Sequence, residues 1–236
     1  MMRLPLPNAI WTLFLLTACG GSSAMPDGEG PGYPTHIEAP SAFAGEWAIE
    51  QEVSIRHAEG ESSFHAVLQK RGDQIVMMGL GPAGGRAFAL TQEGVQFDWE
   101  TFLPIELPFP PEYMLYDVHR TWLQPNNPPL DGAAEAVFER HGERIRERWD
   151  GTRLMERSFE RLDGRPEGII VVRYPGGLSS DAPAASAPPD EVIFENRWYG
   201  YTATVRTLEY TPIWLGSRGY GRRAAKGTTE TPSSRV

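Results

Sequence analysis

From Trp47 onward apolar and polar side chains trade places residue by residue, and the alternation resumes after each turn signal. Trp47, Ile49, Val53 and Ile55 fall on one face of a first strand, with Glu50, Glu52 and Arg56 on the other. A period of two places successive side chains on opposite faces of a sheet, whereas the apolar positions of an amphipathic helix recur every three or four residues. After the turn Ala58-Glu59-Gly60-Glu61 the pattern returns in Phe64, Ala66 and Leu68. It continues as an apolar run from Gln74 to Leu80 and gives two more strands around Glu93-Gly94. The first half of the chain is therefore expected to be an antiparallel meander.

Inside that meander Gly79, Gly81 and Gly84 have the spacing G-x-G-x-x-G. A dinucleotide fingerprint needs a helix after the glycines, with its N-terminus facing the pyrophosphate. Here the segment from Arg86 to Gln92 alternates like a strand and Pro82 interrupts the motif, so the glycines read as a hairpin connection.

A helix is expected after Pro110 and Pro111, which fit a first turn, with Glu112 at the positive end of the dipole. Leu115, Val118 and Trp122 form its apolar stripe, widened by Met114, and Pro125-Asn126-Asn127-Pro128-Pro129 ends it. A second, weaker helix is expected from about Gly132 to Arg140. Asp150-Gly151 signals a tight hairpin. Three later strands follow, over 167–175, 191–198 and 201–210, with a low-complexity insert from Pro175 to Asp190 read as a mobile loop. The sum is an α+β fold, mostly antiparallel β: about nine to ten strands in a curved sheet covered by one or two helices.

The first residues carry targeting information. Arg3 precedes an apolar segment from about Ala9 to Leu16, far short of the ~20 residues of a membrane span, and so reads as an export signal over residues 1–18. Leu16-Thr17-Ala18-Cys19 resembles a lipobox, and Cys19 is the only cysteine. By that resemblance Cys19 is the lipidation site. Acyl chains gaining ~0.8 kcal/mol per buried methylene would hold the protein in membrane lipid. Gly20 occupies the position of an inner-membrane retention aspartate, which favours the outer membrane, facing the periplasm. Residues 19–41 are rich in Gly, Ser and Pro and read as a tether reaching roughly 25 Å. Residues 42–212 form a single domain, and 213–236 a basic tail that either touches anionic headgroups or is an exposed terminus.

The formal charge is −9, of which Arg3 contributes +1 and the tail five positive charges and one negative, leaving −14 on residues 19–212. So acidic a domain argues against nucleic acid as a partner. The five histidines have no H-E-x-x-H or other metal-ligand spacing, no serine sits in a G-x-S-x-G elbow, and Asp98 with Glu100 looks like any solvated acid pair. No enzyme, metal or cofactor is expected.

Two groups of residues are candidates for binding. If Trp149 pairs with Thr152, then Arg144, Arg146, Arg148, Arg153 and Arg157 share one face, with Arg148 opposite Arg153. Such a face either meets anionic groups or is a solvated surface relieved by the domain's carboxylates. The second group is Leu103, Ile105, Leu107 and Phe109, leading into Met114, Leu115, Val118 and Trp122. It is either a lid lining a cavity or ordinary core packing.

The order of lipobox, meander, the helix within Leu107–Leu123, Arg-bearing hairpin and closing Asn196-x-x-x-Gly200-Tyr201 resembles a family of bacterial outer-membrane lipoproteins of unknown function. That family is similar to the LolA and LolB lipoprotein carriers. The resemblance spans roughly residues 45–210. It implies an incomplete, half β-barrel closed by helices, with an apolar cavity for acyl chains and a role in localising or transporting lipid or lipoprotein cargo. One departure is the loop between early strands, whose only sizeable apolar residue is Leu80; this puts cargo insertion of the LolB kind in doubt. The competing reading is a structural or assembly lipoprotein with a filled core that recognises a protein partner.

Overall fold

A computed structural model describes residues 33, 36–81, 84–103, 109–129, 132–179 and 188–213. Cys19, most of the tether and the tail from 214 onward lie outside them. The meander is present as β1 (Trp47–His57), β2 (Gly60–Arg71), β3 (Gln74–Leu80), β4 (Arg86–Glu93) and β5 (Gln96–Thr101). The helix α1 (Tyr113–Val118) follows and continues as a π-helical turn over His119–Leu123. The second half is β6 (Glu135–Arg140), β7 (Glu143–Asp150), β8 (Arg153–Arg161), β9 (Ile169–Ser179), β10 (Glu191–Asn196) and β11 (Tyr201–Pro212). No helix among the described residues is long and apolar enough to cross a membrane.

All eleven strands form one antiparallel sheet in the order β5-β4-β3-β2-β1-β11-β10-β9-β8-β7-β6. Two consecutive meanders are joined where β1 pairs β11, from Trp47 opposite Pro212 to His57 opposite Tyr201. The alternation read from the sequence sets the two faces: Trp47, Ile49, Val53 and Ile55 are buried, while Glu50 and Arg56 are exposed.

The sheet is strongly bent. β4 and β7 are eight strand spacings apart in the order, about 38 Å if the sheet were flat. Yet adjacent residues of one helix touch both, His119 bonding Gln92 of β4 and Arg120 bonding Glu143 of β7. The sheet thus wraps the helix as an open barrel with β5 and β6 as its free edges. The expected curved sheet is there, with eleven strands and one short α-helix among the described residues in place of the nine to ten strands and one or two helices expected.

β6 is the segment expected to be a second helix. Gly132 has φ +69°, and Glu135–Arg140 pairs with β7 along its whole length, with Arg146 of β7 contacting Glu135 at 3.1 Å. Cross-strand charge pairs on a half-exposed edge strand outweigh the helical propensity of a short Glu/Ala-rich run.

The arginine hairpin also differs from expectation. Its two-residue turn is Gly151-Thr152, so Trp149 faces Leu154, and Met155 bulges out of the ladder so that Arg148 faces Glu156. The extra residue inverts the parity of β8 beyond it. Arg157 consequently leaves the outer face and is fully buried, ion-paired with Glu147 at 2.7 Å. Arg144, Arg146 and Arg148 stay outside, each within 3.6 Å of a carboxylate: Glu139 and Glu160, Glu135, and Glu156 respectively. Arg153 is exposed at the turn.

Candidate functional site

The helix is held over the concave face of the sheet by buried polar groups reaching in from nearly every side. Residues His119 to Leu123 are all buried, the three polar ones included. A helix on a sheet normally keeps one side in water; this last turn has none, so each of its polar side chains needs a partner. His119 Nε2 and Gln92 Oε1 are 2.7 Å apart, and the same glutamine donates to the carbonyls of Glu38 and Gly94. Arg120 pairs with Glu143 at 2.5 Å, and its guanidinium lies 4.8–5.3 Å from the ring centres of Tyr33, Trp198 and Phe159. Arg157 donates to the carbonyls of Arg120, Gln124 and Pro125, and Tyr174 donates to that of Thr121. These donors satisfy carbonyls at the helix end.

Asp117 is the centre of the opposite side. One carboxylate oxygen accepts the hydroxyl of Tyr33 and the other that of Tyr201. Asn196 Nδ2 donates to Tyr201 Oη at 3.0 Å and to Tyr33 Oη at 3.3 Å. Burial raises the Asp117 carboxyl to about 7 against the lowering effect of the two hydroxyls and of Arg120. Burial also raises both tyrosines. His119 is lowered to about 4 by burial, then by Arg120 and His36. A carboxyl near 7 is the kind of group that serves as a general acid or base, but both oxygens here are occupied by protein hydroxyls. The arrangement is a latch between helix and sheet.

The closing motif gains a physical meaning from this latch. Asn196 Oδ1 accepts the backbone N–H groups of Trp198 and Tyr199, fixing the β10–β11 turn, where Gly200 has φ +73°. The same residue's amide orients Tyr201 toward Asp117. Tyr33 could not be found by pattern. It sits in the segment read as tether, yet it is buried among Tyr113, Tyr116, Trp198 and Tyr199. The packed chain therefore begins ahead of residue 42.

Beneath the helix lies a cavity of about 60 Å³ whose walls are mostly apolar. Of the residues singled out in the sequence, Phe109, Met114, Val118 and Trp122 line it, facing Val53, Ile55, Met77 and Phe194 of the sheet. Leu115 is fully buried beside it, and Leu103 is 43% exposed. Ile105 and Leu107 lie outside the described residues. One polar group stands out in the lining: Gln51 is 2% exposed and its Nε2 has no hydrogen-bond partner among the described residues. The cavity is well below the ~150 Å³ that admits a benzene.

The sequence profile of the family described as "Protein of unknown function (DUF3261)" matches residues 48–209. The chain belongs to the DUF3261 family. The DUF3261 match covers the helix and, but for a few end residues, every strand; Tyr33, His36 and Glu38 precede it. No curated protein matches the sequence. Among solved structures, similarity extends to a LolA superfamily protein from Nitrosomonas europaea, 13% identical, covering 76% of this chain and 90% of that one with a TM-score of 0.41. A domain from Vibrio parahaemolyticus, named as an outer membrane lipoprotein-sorting protein, is 10% identical over 71% and 85% with a TM-score of 0.42. A DUF1329 family protein from Desulfovibrio piger is 13% identical over 73% and 87% with a TM-score of 0.36.

Proposed function

We propose that this DUF3261 protein is a non-enzymatic, lipid-anchored protein of the outer membrane that takes an acyl chain or similar apolar group between its helix and the concave face of its sheet. The observation that carries this reading is the cavity under the helix, a mostly apolar space with a buried donor, Gln51 Nε2, that has no partner among the described residues and is available to a carbonyl or carboxylate oxygen. An unpartnered donor buried this deeply costs about 1–3 kcal/mol, which an occupant with one oxygen recovers. Apolar walls with a few placed polar groups are the usual make-up of a small-molecule site. The lipobox at Cys19 supports the anchor, and the absence of a recognisable catalytic motif supports a binding role.

The size of the cavity favours a second reading, in which the core is filled and the protein recognises another protein during envelope assembly. Native mass spectrometry separates the two. The whole exported chain, with Cys19→Ser to prevent acylation, is purified without detergent. Its N-terminal segment must be retained because Tyr33 is part of the core. A bound species of lipid mass that is lost on denaturation, and reduced in Gln51→Leu, is the expected result. A clean protein mass with no uptake of added fatty acid or phospholipid overturns the lipid reading in favour of a protein partner.

A further inference from the structure

Of the five histidines, spaced along the sequence without a metal motif, two meet in space. His36 belongs to the segment ahead of β1 and His141 to the turn between β6 and β7. Their rings stack with centres 4.1 Å apart and 22° between planes. Glu38 Oε1 lies 3.8 Å from His141 Nε2. One ligand atom from each of the three residues falls within 4.8 Å of the others.

We propose that His36, Glu38 and His141 form a binding site for a divalent transition-metal ion of the zinc type. Two imidazoles and a carboxylate suit zinc and its neighbours, whereas calcium and magnesium take oxygen ligands throughout. Three protein ligands leave the fourth tetrahedral position to water. Ligand atoms on a zinc ion with bonds of ~2.0–2.1 Å lie roughly 3.4 Å apart. The present spacing closes to that value by side-chain rotation, since both imidazoles are exposed and Glu38 is only half-buried. Binding therefore opens the ring stack. His119 lines the same cleft as the three ligands but is committed to Gln92 and takes no part.

Two features show that the ligands sit on fixed supports. The Glu38 carbonyl accepts Gln92 Nε2 of β4 at 2.9 Å, and Ser41 N–H donates to Asp73 at 3.0 Å, so this part of the N-terminal segment is tied to the first meander. His141 has φ +51° and Gly142 φ +76° in a two-residue hairpin turn. That turn favours Asn-Gly, and histidine is among the residues that adopt the left-handed conformation, so the hairpin holds His141 in place. A metal ion here joins the hairpin at the β6 edge to a segment held on β4, stapling the two arms of the open barrel.

The turn supplies a test that spares the fold, because His141→Asn removes a ligand and keeps a residue suited to the left-handed conformation. Zinc is titrated into the whole exported Cys19→Ser chain by calorimetry, with melting temperature and histidine ring NMR signals followed in parallel. One zinc per chain, a raised melting temperature reversed by EDTA, and joint movement of the His36 and His141 signals are expected. His141→Asn and His36→Gln weaken binding by more than about 100-fold, beyond the 10–100-fold effect of an outer-shell partner. The metal-free melting temperature of His141→Asn is unchanged or higher. Zinc affinity that survives in either variant, or that requires millimolar metal in the parent chain, overturns the site and leaves a stacked histidine contact.

Discussion

Asp117 and His119 sit two residues apart, and their linkage to pH runs in opposite directions. Asp117 titrates near 7 when folded, above its unfolded value of ~3.9. The folded state therefore holds more protons between about pH 4 and 7, and stability falls as pH rises through that window. His119 titrates near 4 when folded, below an unfolded ~6.5. The folded state then holds fewer protons between about pH 4 and 6.5, and stability falls as pH drops through that window. The two slopes offset each other in the parent protein. Asp117→Asn removes the first, so its melting temperature should decline from pH 6.5 to 4 more steeply than the parent's. His119→Gln removes the second, so its melting temperature should rise over the same interval. Parallel melting curves for all three proteins would show that neither group is perturbed by burial.

At the scale of elements, the β3–β4 hairpin gives the glycine motif its structural reason. A Cβ on Gly79 would lie 2.0 Å from the Phe88 ring, which occupies the space opposite it in the ladder. Gly79→Ala should therefore cost at least the 1–3 kcal/mol of an overpacked core. Phe88→Leu in the same background should recover part of that loss, a coupling readable from a double-mutant urea cycle; strictly additive effects would dissociate the two residues. The hairpin was legible because each of its strands alternates or is continuously apolar. β6 was not, since Glu135, Val137 and Glu139 share its outer face with Ala136, Phe138 and Arg140 on the other, which leaves no apolar contrast between the faces. Arg157 was placed on the wrong face because periodicity cannot register a bulge at Met155. The apolar stripe of α1 was legible as spacing, while its latch was not: Tyr33 lies in a Gly/Pro-rich run and reaches Asp117 only through the fold.

At the scale of the whole molecule, the described residues form a sheet whose end strands β5 and β6 each pair on one side, closed over a helix that both arms hold, and this limits how the proposed ligand could enter. A chain cut at Ser41 loses Tyr33 and the Glu38–Gln92 bond. Deleting a buried aromatic alone costs about 3–5 kcal/mol, so the shortened protein should melt well below the full one, and Tyr33→Ala should account for most of the difference. The cavity of about 60 Å³ is smaller than any acyl chain requires. Uptake of the proposed acyl chain would require α1 to lift from the sheet, and the Asp117 latch is one of its side-chain attachments, beside His119–Gln92 and Arg120–Glu143. The sheet ladders need not open, because every described strand is paired through its backbone. Hydrogen exchange should then show Tyr113 to Leu123 well protected in the ligand-free protein and faster to exchange with fatty acid bound, while β1 and β11 stay protected throughout. Asp117→Asn should shift the ligand-free pattern toward the bound one. Uptake of fatty acid with no change in helix exchange would mean that the apolar group binds elsewhere than under α1.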